Sequence, residues 1–222
     1  MNMSRYLAGI SALRVFTTAT LKKVAYAEGC TSDSMFFGWK ERAEECGHNA
    51  RVNKGLSVNG LAHPSVHLDE CAGFIRSESV VSLQTVLADC GALNNYTSNV
   101  SCVVPKTCKI SSMGRVRTDM GSMMFYHESQ DVVFPDVPRD LIFDGSVSYA
   151  RATPEKALSD WIYLGSSPSS HLHLPPHDID MDFVNTDGLL AISSAMRIKR
   201  HVLDWLEGNA GSGEELSTDF GF

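Results

Sequence analysis

The chain has 222 residues, of which 43% are hydrophobic and 20% are charged, and its formal net charge is −7. This composition is typical of a globular protein with a substantial core and excludes a disordered or fibrous chain. No apolar run approaches the roughly 18 residues that a membrane span requires, and the first fifteen residues do not have the pattern of a secretory signal. We therefore expect a cytoplasmic protein with no membrane partner.

No two of the six cysteines form a C-x-x-C pair, and most of the six have apolar neighbours in the sequence. This pattern predicts reduced, buried thiols rather than disulfides or a zinc site. The chain also lacks a phosphate-binding loop, a G-x-S-x-G elbow and an H-E-x-x-H metal motif. We expect no cofactor, and we expect that the chain is not an enzyme.

Charge is distributed unevenly along the chain. Residues 1–58 contain eight Lys and Arg against five Asp and Glu, whereas residues 59–222 contain eleven against twenty-one. A basic head on an acidic body is typical of a DNA-binding module joined to a separate partner domain.

Residues 1–62 predict three helices followed by a β-hairpin. Tyr6, Leu7, Ile10 and Leu13 form a short amphipathic pattern. Thr18 is a suitable N-cap for a second helix over 19–27, and the polar residues 31–34 offer N-caps for a third helix that ends near Cys46. Asn53-Lys54-Gly55 then predicts the turn of a hairpin over 48–59. This order predicts a winged helix-turn-helix domain.

A winged helix binds DNA by placing its third helix in the major groove, while the hairpin tip brings cations to the phosphates. The candidate DNA-binding residues on the helices are Lys22, Lys23, Ser32, Ser34, Lys40 and Arg42, and those on the hairpin are Arg51 and Lys54. Glu41, Glu44 and Glu45 lie on the same third helix and would repel phosphate. The expected partner is double-stranded DNA.

Residues 63–207 predict a mixed α/β domain, and residues 208–222 predict a flexible tail. Short helices are expected over 68–76 and from Ser82, as the N-cap, to Gly91. Six short β-like runs follow and predict a small, mostly antiparallel sheet. They are 100–104, 115–118, 123–126, 131–134, 141–143 and 147–150. Residues 189–206 predict a helical C-terminus with one break. The predicted fold class is therefore α+β.

Residues 151–164 predict an amphipathic helix with a well-marked start. Thr153 is a good N-cap and Pro154 suits the first helical position. An apolar stripe that includes Trp161 is expected to face the core, whereas Glu155, Lys156, Ser159 and Asp160 are expected to face solvent.

Two histidine-containing segments have residue types found in metal sites. His63 and His67 are four residues apart, but Pro64 between them disfavours a helical metal pair. The segment 171–182 contains three histidines and three aspartates, yet nothing in its loop-like sequence fixes ligand geometry. We predict no metal site.

Three motifs together resemble the AbiE-type (type IV) antitoxin family across most of residues 5–207. They are Arg51-Val-Asn-Lys-Gly-Leu-Ser-Val-Asn59, Ser79-Val-Val-Ser-Leu-x-x-Val-Leu-x-x-x-Gly91 and Ala152-Thr-Pro-Glu-Lys-Ala-Leu-x-Asp160. The resemblance implies a winged helix that represses its own operon by binding inverted repeats. It also implies a C-terminal domain that counteracts a nucleotidyltransferase-like toxin, directly or indirectly, in phage defence by abortive infection. Carried onto this chain, antitoxin function falls on the region of Arg151, Glu155, Lys156 and Asp160.

Two other functions remain open. The chain could be an enzyme for nucleotidyl or phosphoryl transfer on nucleic acid, using Glu155, Lys156 and Asp160 or a metal held by 171–182. It could also be an adaptor whose degenerate winged helix binds protein, because the acidic third helix disfavours DNA.

Overall fold

The computed structural model describes residues 3–9, 12–95, 97–108 and 114–214, with side chains through residue 209. The fold is α+β, as predicted. Nine α-helices lie in this part of the chain: α1 (Met3–Leu7), α2 (Thr18–Ala27), α3 (Asp33–Glu45), α4 (Ala72–Ile75), α5 (Gln84–Asp89), α6 (Arg139–Ile142), α7 (Pro154–Gly165), α8 (Thr186–Ala195) and α9 (Lys199–Glu214).

Seven strands form two sheets within the described residues. The strands are β1 (Val15–Thr17), β2 (Asn49–Asn53), β3 (Leu56–Asn59), β4 (Val80–Val81), β5 (Val100–Pro105), β6 (Arg115–Arg117) and β7 (Met123–Ser129). The first sheet is antiparallel with the order β1-β3-β2, and the second has the order β4-β5-β7-β6. The second sheet is mixed rather than mostly antiparallel, because β4 and β5 are antiparallel whereas β5 and β7 run parallel.

The chain divides into two compact units. The N-terminal unit contains Met1–Ile75 and Val116–Met123, and the C-terminal unit contains Arg76–Arg115 and Met124–Phe222. The sequence placed the boundary at residue 62, but Cys71 and Ile75 pack on the core of the first sheet. The 3₁₀ turn Leu68–Cys71 and α4 therefore belong to the N-terminal unit.

The N-terminal unit has two small apolar cores. Phe16 and Phe36 lie at the centre of the helical core, and Val52 and Val58 lie in the core of the sheet. The expected helix over 6–13 is shorter, since α1 ends at Leu7, and Ile10 lies outside the described residues. Thr17 rather than Thr18 caps α2, because its hydroxyl accepts the N–H of Thr20.

The C-terminal unit is organised around α7, which packs against α5, α6, α8 and α9. Its start matches the sequence, since the hydroxyl of Thr153 accepts the N–H of Lys156 and Pro154 is the first helical residue. The predicted break between the last two helices lies at 196–198. Residues 208–214, predicted as part of a flexible tail, continue α9, and residues 215–222 lie outside the described part of the chain.

Three of the predicted strands do not form. Residues 131–134 are irregular, 139–142 form α6, and 147–150 are bends, although Phe143 makes an isolated bridge with Ala152. These runs have β-like composition but lie beside α7 rather than in a ladder, so tertiary context overrides their local preference. The short strand β4, which the sequence did not predict, pairs with β5 instead.

Candidate functional site

The candidate DNA-binding residues lie on α2, α3 and the β2–β3 hairpin of the N-terminal unit. Ser32, one of them, is the N-cap of α3, because its hydroxyl accepts the N–H of Met35 at 3.2 Å. Capping satisfies one of the free amides of the first turn. The polar run 31–34 therefore begins the helix as predicted, and the Ser32 side chain is already occupied within the protein.

Lys22 is also held within the protein, at the junction of α2 and α3. Its ammonium lies 2.7 Å from the carboxylate of Asp33, which also accepts the Tyr26 hydroxyl at 2.6 Å. The hydrogen bond from Lys22 lowers the pKa of Asp33, and the hydrogen bond to Asp33 raises the pKa of Tyr26 to about 12. This exposed cluster ties the two helices together.

Lys40 forms an ion pair with Glu44 one turn later on α3. Only 15% of the Lys40 side chain is exposed, and Glu44 also accepts from the side chain of Asn49. The charge of Lys40 is thus offset locally. Glu44, which the sequence analysis counted as repelling phosphate, instead pairs with a cation of the same helix.

The hairpin tip carries one exposed cation and one paired cation. Lys54 is exposed, and Gly55 has φ +85°, which is the left-handed conformation predicted for this turn. The carbonyl of Gly55 accepts the N–H of Thr18 at 2.8 Å, so the tip is fixed to the start of α2. Arg51, by contrast, lies with its Nε 2.8 Å from a carboxylate oxygen of Asp119.

Four of the eight candidates remain open to a partner. Lys23, Ser34, Arg42 and Lys54 are exposed and make no ion pair or side-chain hydrogen bond within the described residues. The outer face of α3 also exposes Phe37, at 53%, together with Glu41 and Glu45. The whole N-terminal unit contains nine Lys and Arg against eight Asp and Glu, so it is nearly neutral, and its local field depends on which charges of either sign are exposed and unpaired.

The candidate antitoxin residues lie on and before α7 in the C-terminal unit. Arg151 has its guanidinium 3.1 Å from Asp89 and 3.7 Å from Asp144. Glu155 is buried, and its carboxylate accepts the N–H of Asn185 at 2.8 Å, at the start of α8. A negative charge is favourable at that helix end. Both residues therefore join α7 to its neighbours.

Lys156 and Asp160 form a buried ion pair, and this corrects the sequence interpretation. Their side chains are 1% and 0% exposed, although the pattern assigned them to a solvent-facing side. Asp160 also accepts the hydroxyl of Ser82 at 2.8 Å and that of Ser129 at 3.4 Å. Buried charges are tolerated when they are paired and hydrogen-bonded. The charged face of α7 is thus a polar core.

Sequence reasoning missed the role of Ser82. It predicted this residue as a helix N-cap, but α5 begins at Gln84 and its first-turn amides receive no bond from Ser82, whose hydroxyl donates to Asp160. Leu83, between β4 and α5, has φ +60°, a conformation that is costly for a residue with a side chain. The i, i+4 spacing of Lys156 and Asp160 suits an ion pair on one side of a helix, but no local signal pointed to Ser82 or Ser129.

The histidine-containing segment 171–182 packs as a structural loop. The indole N–H of Trp161 donates to the carbonyl of His173, and that of Trp205 donates to Pro175. The ring of His177 stacks on Trp205 with 5.8 Å between centroids. No group of three His, Cys, Asp or Glu residues suited to a metal ion occurs among the described residues.

The comparisons with known proteins add no family. No protein-family model and no curated protein matches the chain. Across the described residues, none of the helices has both the length and the apolar character needed to cross a membrane. The fold class is α+β, and any function proposed for the chain rests on the positions and contacts of the candidate residues described above.

Proposed function

We propose that this chain is the antitoxin of a type IV toxin-antitoxin system and a DNA-binding repressor of its own operon, acting in the cytoplasm. One observation carries the DNA-binding part of the proposal. The N-terminal unit has the element order α1-β1-α2-α3-β2-β3 with an antiparallel sheet, and its hairpin tip exposes Lys54. This is the order of elements that winged helix-turn-helix proteins use to place a helix in the major groove.

The exposed cations suit a small phosphate footprint. Lys23 on α2, Arg42 on α3 and Lys54 at the hairpin tip can each approach a phosphate, whereas Lys22 and Lys40 would first have to leave their ion pairs. Ser34, in the first turn of α3, is the exposed candidate for a hydrogen bond to a base edge. We therefore expect modest affinity with a shallow salt dependence.

The antitoxin part of the proposal rests on the resemblance of the Ser79–Gly91 and Ala152–Asp160 motifs to the AbiE-type family. In the structure these two motifs contact each other through the hydrogen bond from Ser82 to Asp160. Residues of both motifs therefore contribute to the polar core of the C-terminal unit. The proposed partner is a nucleotidyltransferase-like toxin, which the unit would oppose directly or indirectly.

The enzyme alternative draws little support from the same residues. Lys156 and Asp160 are almost completely buried, and Glu155 is 9% exposed, so little of these side chains is open to solvent. The adaptor alternative has one specific observation in its favour. An exposed aromatic ring, Phe37, lies on the outer face of α3, where aromatic residues favour a protein contact, and the nearby Glu41 would repel phosphate.

A binding titration tests the DNA-binding proposal. Fluorescence anisotropy on a duplex from the region upstream of the coding sequence is measured for the wild type and for Arg42→Ala and Lys54→Ala. Each variant should bind several-fold more weakly, and the slope of log affinity against log salt should fall by about 0.9 for each lost phosphate contact. Lys106→Ala, an exposed lysine of the C-terminal unit, is the matched control and should bind as the wild type does.

The same variants separate repression from toxin neutralisation. In cells that express a nucleotidyltransferase-like protein from the neighbouring reading frame, the wild type should restore growth and repress a promoter reporter. The double variant Arg42→Ala/Lys54→Ala should restore growth while the reporter is released. Equal DNA binding by the wild type and all variants would contradict the proposal that the N-terminal unit binds DNA. Failure of the wild type to restore growth would contradict the antitoxin role.

A further inference from the structure

A tight turn, Thr118–Ser122, connects β6 to β7 and belongs to the N-terminal unit. Both the N–H and the hydroxyl of Thr118 donate to the carbonyl of Ser122 at 2.9 Å. Gly121 has φ +87°, which only glycine adopts readily, and Thr118 is buried. The turn is therefore well defined rather than a loose loop, and it presents Asp119 at a fixed place.

Asp119 contacts strand β2 of the hairpin in two ways. Its N–H donates to the carbonyl of Val52 at 2.7 Å, and its carboxylate lies 2.8 Å from the Nε of Arg51. Strand β2 is one of the two edge strands of the first sheet, so the carbonyl of Val52 is open to this contact. The turn thus covers the edge of the hairpin. It places a negative charge beside Arg51, which is one of the hairpin's two cations, and Lys54 is the other.

The ion pair is of a kind that a duplex can replace. The side chains of Arg51 and Asp119 are 55% and 51% exposed, and exposed pairs of this kind contribute little to stability. A carboxylate oxygen and a phosphate oxygen are equivalent acceptors for a guanidinium group. With Asp119 in place, a phosphate has to compete with the carboxylate for the guanidinium of Arg51 and is repelled by its negative charge.

We propose that Asp119 sets the DNA affinity of this protein: its carboxylate occupies Arg51 in place of a backbone phosphate, so that the Thr118–Ser122 turn competes with DNA for the hairpin. This inference rests on the proposed DNA-binding function. The ligand is the phosphate backbone of a DNA duplex. The contact keeps the repressor weak until enough phosphate contacts form elsewhere to displace the carboxylate.

Charge removal at Asp119 in the full chain tests the inference. Binding of the upstream duplex is measured by anisotropy at several salt concentrations for the wild type, Asp119→Asn, Arg51→Ala and the double variant. Asp119→Asn should bind about three- to tenfold more tightly at low salt, with a slope of log affinity against log salt steeper by about 0.9, since Arg51 gains a phosphate contact. Arg51→Ala should change wild-type binding little and should abolish the gain in the double variant.

Two controls isolate the contact from net charge and from folding. Asp136→Asn makes the same charge change at an exposed aspartate of the C-terminal unit and should leave binding unchanged. Asp119→Ser, which also keeps the backbone bond to Val52, should reproduce the gain if Asp119→Asn does not fold. Unchanged or weaker binding by the folded Asp119 variants, while the wild type binds, would overturn the inference alone. No binding by the wild type or any Asp119 variant at low salt would instead overturn the proposed DNA-binding function.

Discussion

The buried pair of Lys156 and Asp160 is the least expected feature at the scale of single residues. Removing two charges from water costs several kcal/mol for each ion unless close pairing and further hydrogen bonds offset it. Here the two charges pair across one helical turn, and the hydroxyls of Ser82 and Ser129 donate to Asp160. The ammonium of Lys156 also lies over the ring of Phe134, 5.8 Å from its centroid.

Removal of one partner should therefore be much worse than removal of both charges. Lys156→Met should lower the free energy of unfolding by about 3–5 kcal/mol, because Asp160 is left buried and uncompensated. The double variant Lys156→Met/Asp160→Asn should recover a large part of that loss, since no buried charge remains. Urea unfolding followed by tryptophan fluorescence measures both values.

Lys199→Met, at an exposed position of α9, is the control and should change the free energy of unfolding by less than about 0.5 kcal/mol. If Lys156→Met matched this control, the ion pair would not support the C-terminal unit. If the double variant were as unstable as the single one, pairing of charge would not be the reason for the loss.

At the scale of elements, the starts of α3 and α7 were predictable from the sequence, whereas the burial of the charged side of α7 was not. Thr153, Pro154 and Ser32 mark helix starts through local chemistry, which needs no knowledge of distant residues. The charged side of α7 has the same pattern as a solvated face. It lies in the core because α7 packs against four other helices, and Asp160 accepts hydrogen bonds from Ser82, 78 residues earlier, and Ser129, 31 residues earlier.

The start of α7 is held by the hydroxyl group of Thr153, which makes two hydrogen bonds. Thr153 accepts the N–H of Lys156 and donates to the carbonyl of Leu141 at 2.6 Å. Thr153→Ala should lower the free energy of unfolding by about 2 kcal/mol, because both a cap and a buried bond are lost. Thr153→Ser keeps both bonds and should lose less than half as much in the same urea titration. Equal losses in the two variants would assign the effect to packing of the methyl group.

At the scale of the whole molecule, the charge asymmetry of the sequence is smaller in the folded units. The sequence gives residues 1–58 a surplus of three cations, but the N-terminal unit also includes Asp69, Glu70 and the turn with Asp119. Burial of Glu70 favours its neutral form and so acts to raise its pKa. Hydrogen bonds from Arg14 and from the N–H of His67 outweigh this effect, and the pKa is lowered overall. No sequence pattern indicated that 116–123 would join this unit, since that placement depends on long-range contacts.

The sequence predicted where the candidate DNA-binding residues lie in the fold. It did not predict which of their charges are free of a partner within the protein. The helix α3 and the hairpin lie where the sequence placed them. Which cations are open depends on acidic neighbours such as Asp33 and Asp119, and the latter is 68 positions from Arg51 in the chain. Of the eight candidate residues, Lys23, Ser34, Arg42 and Lys54 are the ones that are exposed and make no ion pair or side-chain hydrogen bond within the described part of the chain.

Amide hydrogen exchange of the full chain, with and without a saturating upstream duplex, tests most directly whether the N-terminal unit is the DNA-binding part. We expect slower exchange in the first half of α3 and at the hairpin tip, residues 53–55, because bound DNA excludes water from these backbone amides and limits their local opening. Exchange in α7 should not change. Protection confined to the C-terminal unit, or none at all with bound duplex, would contradict the account.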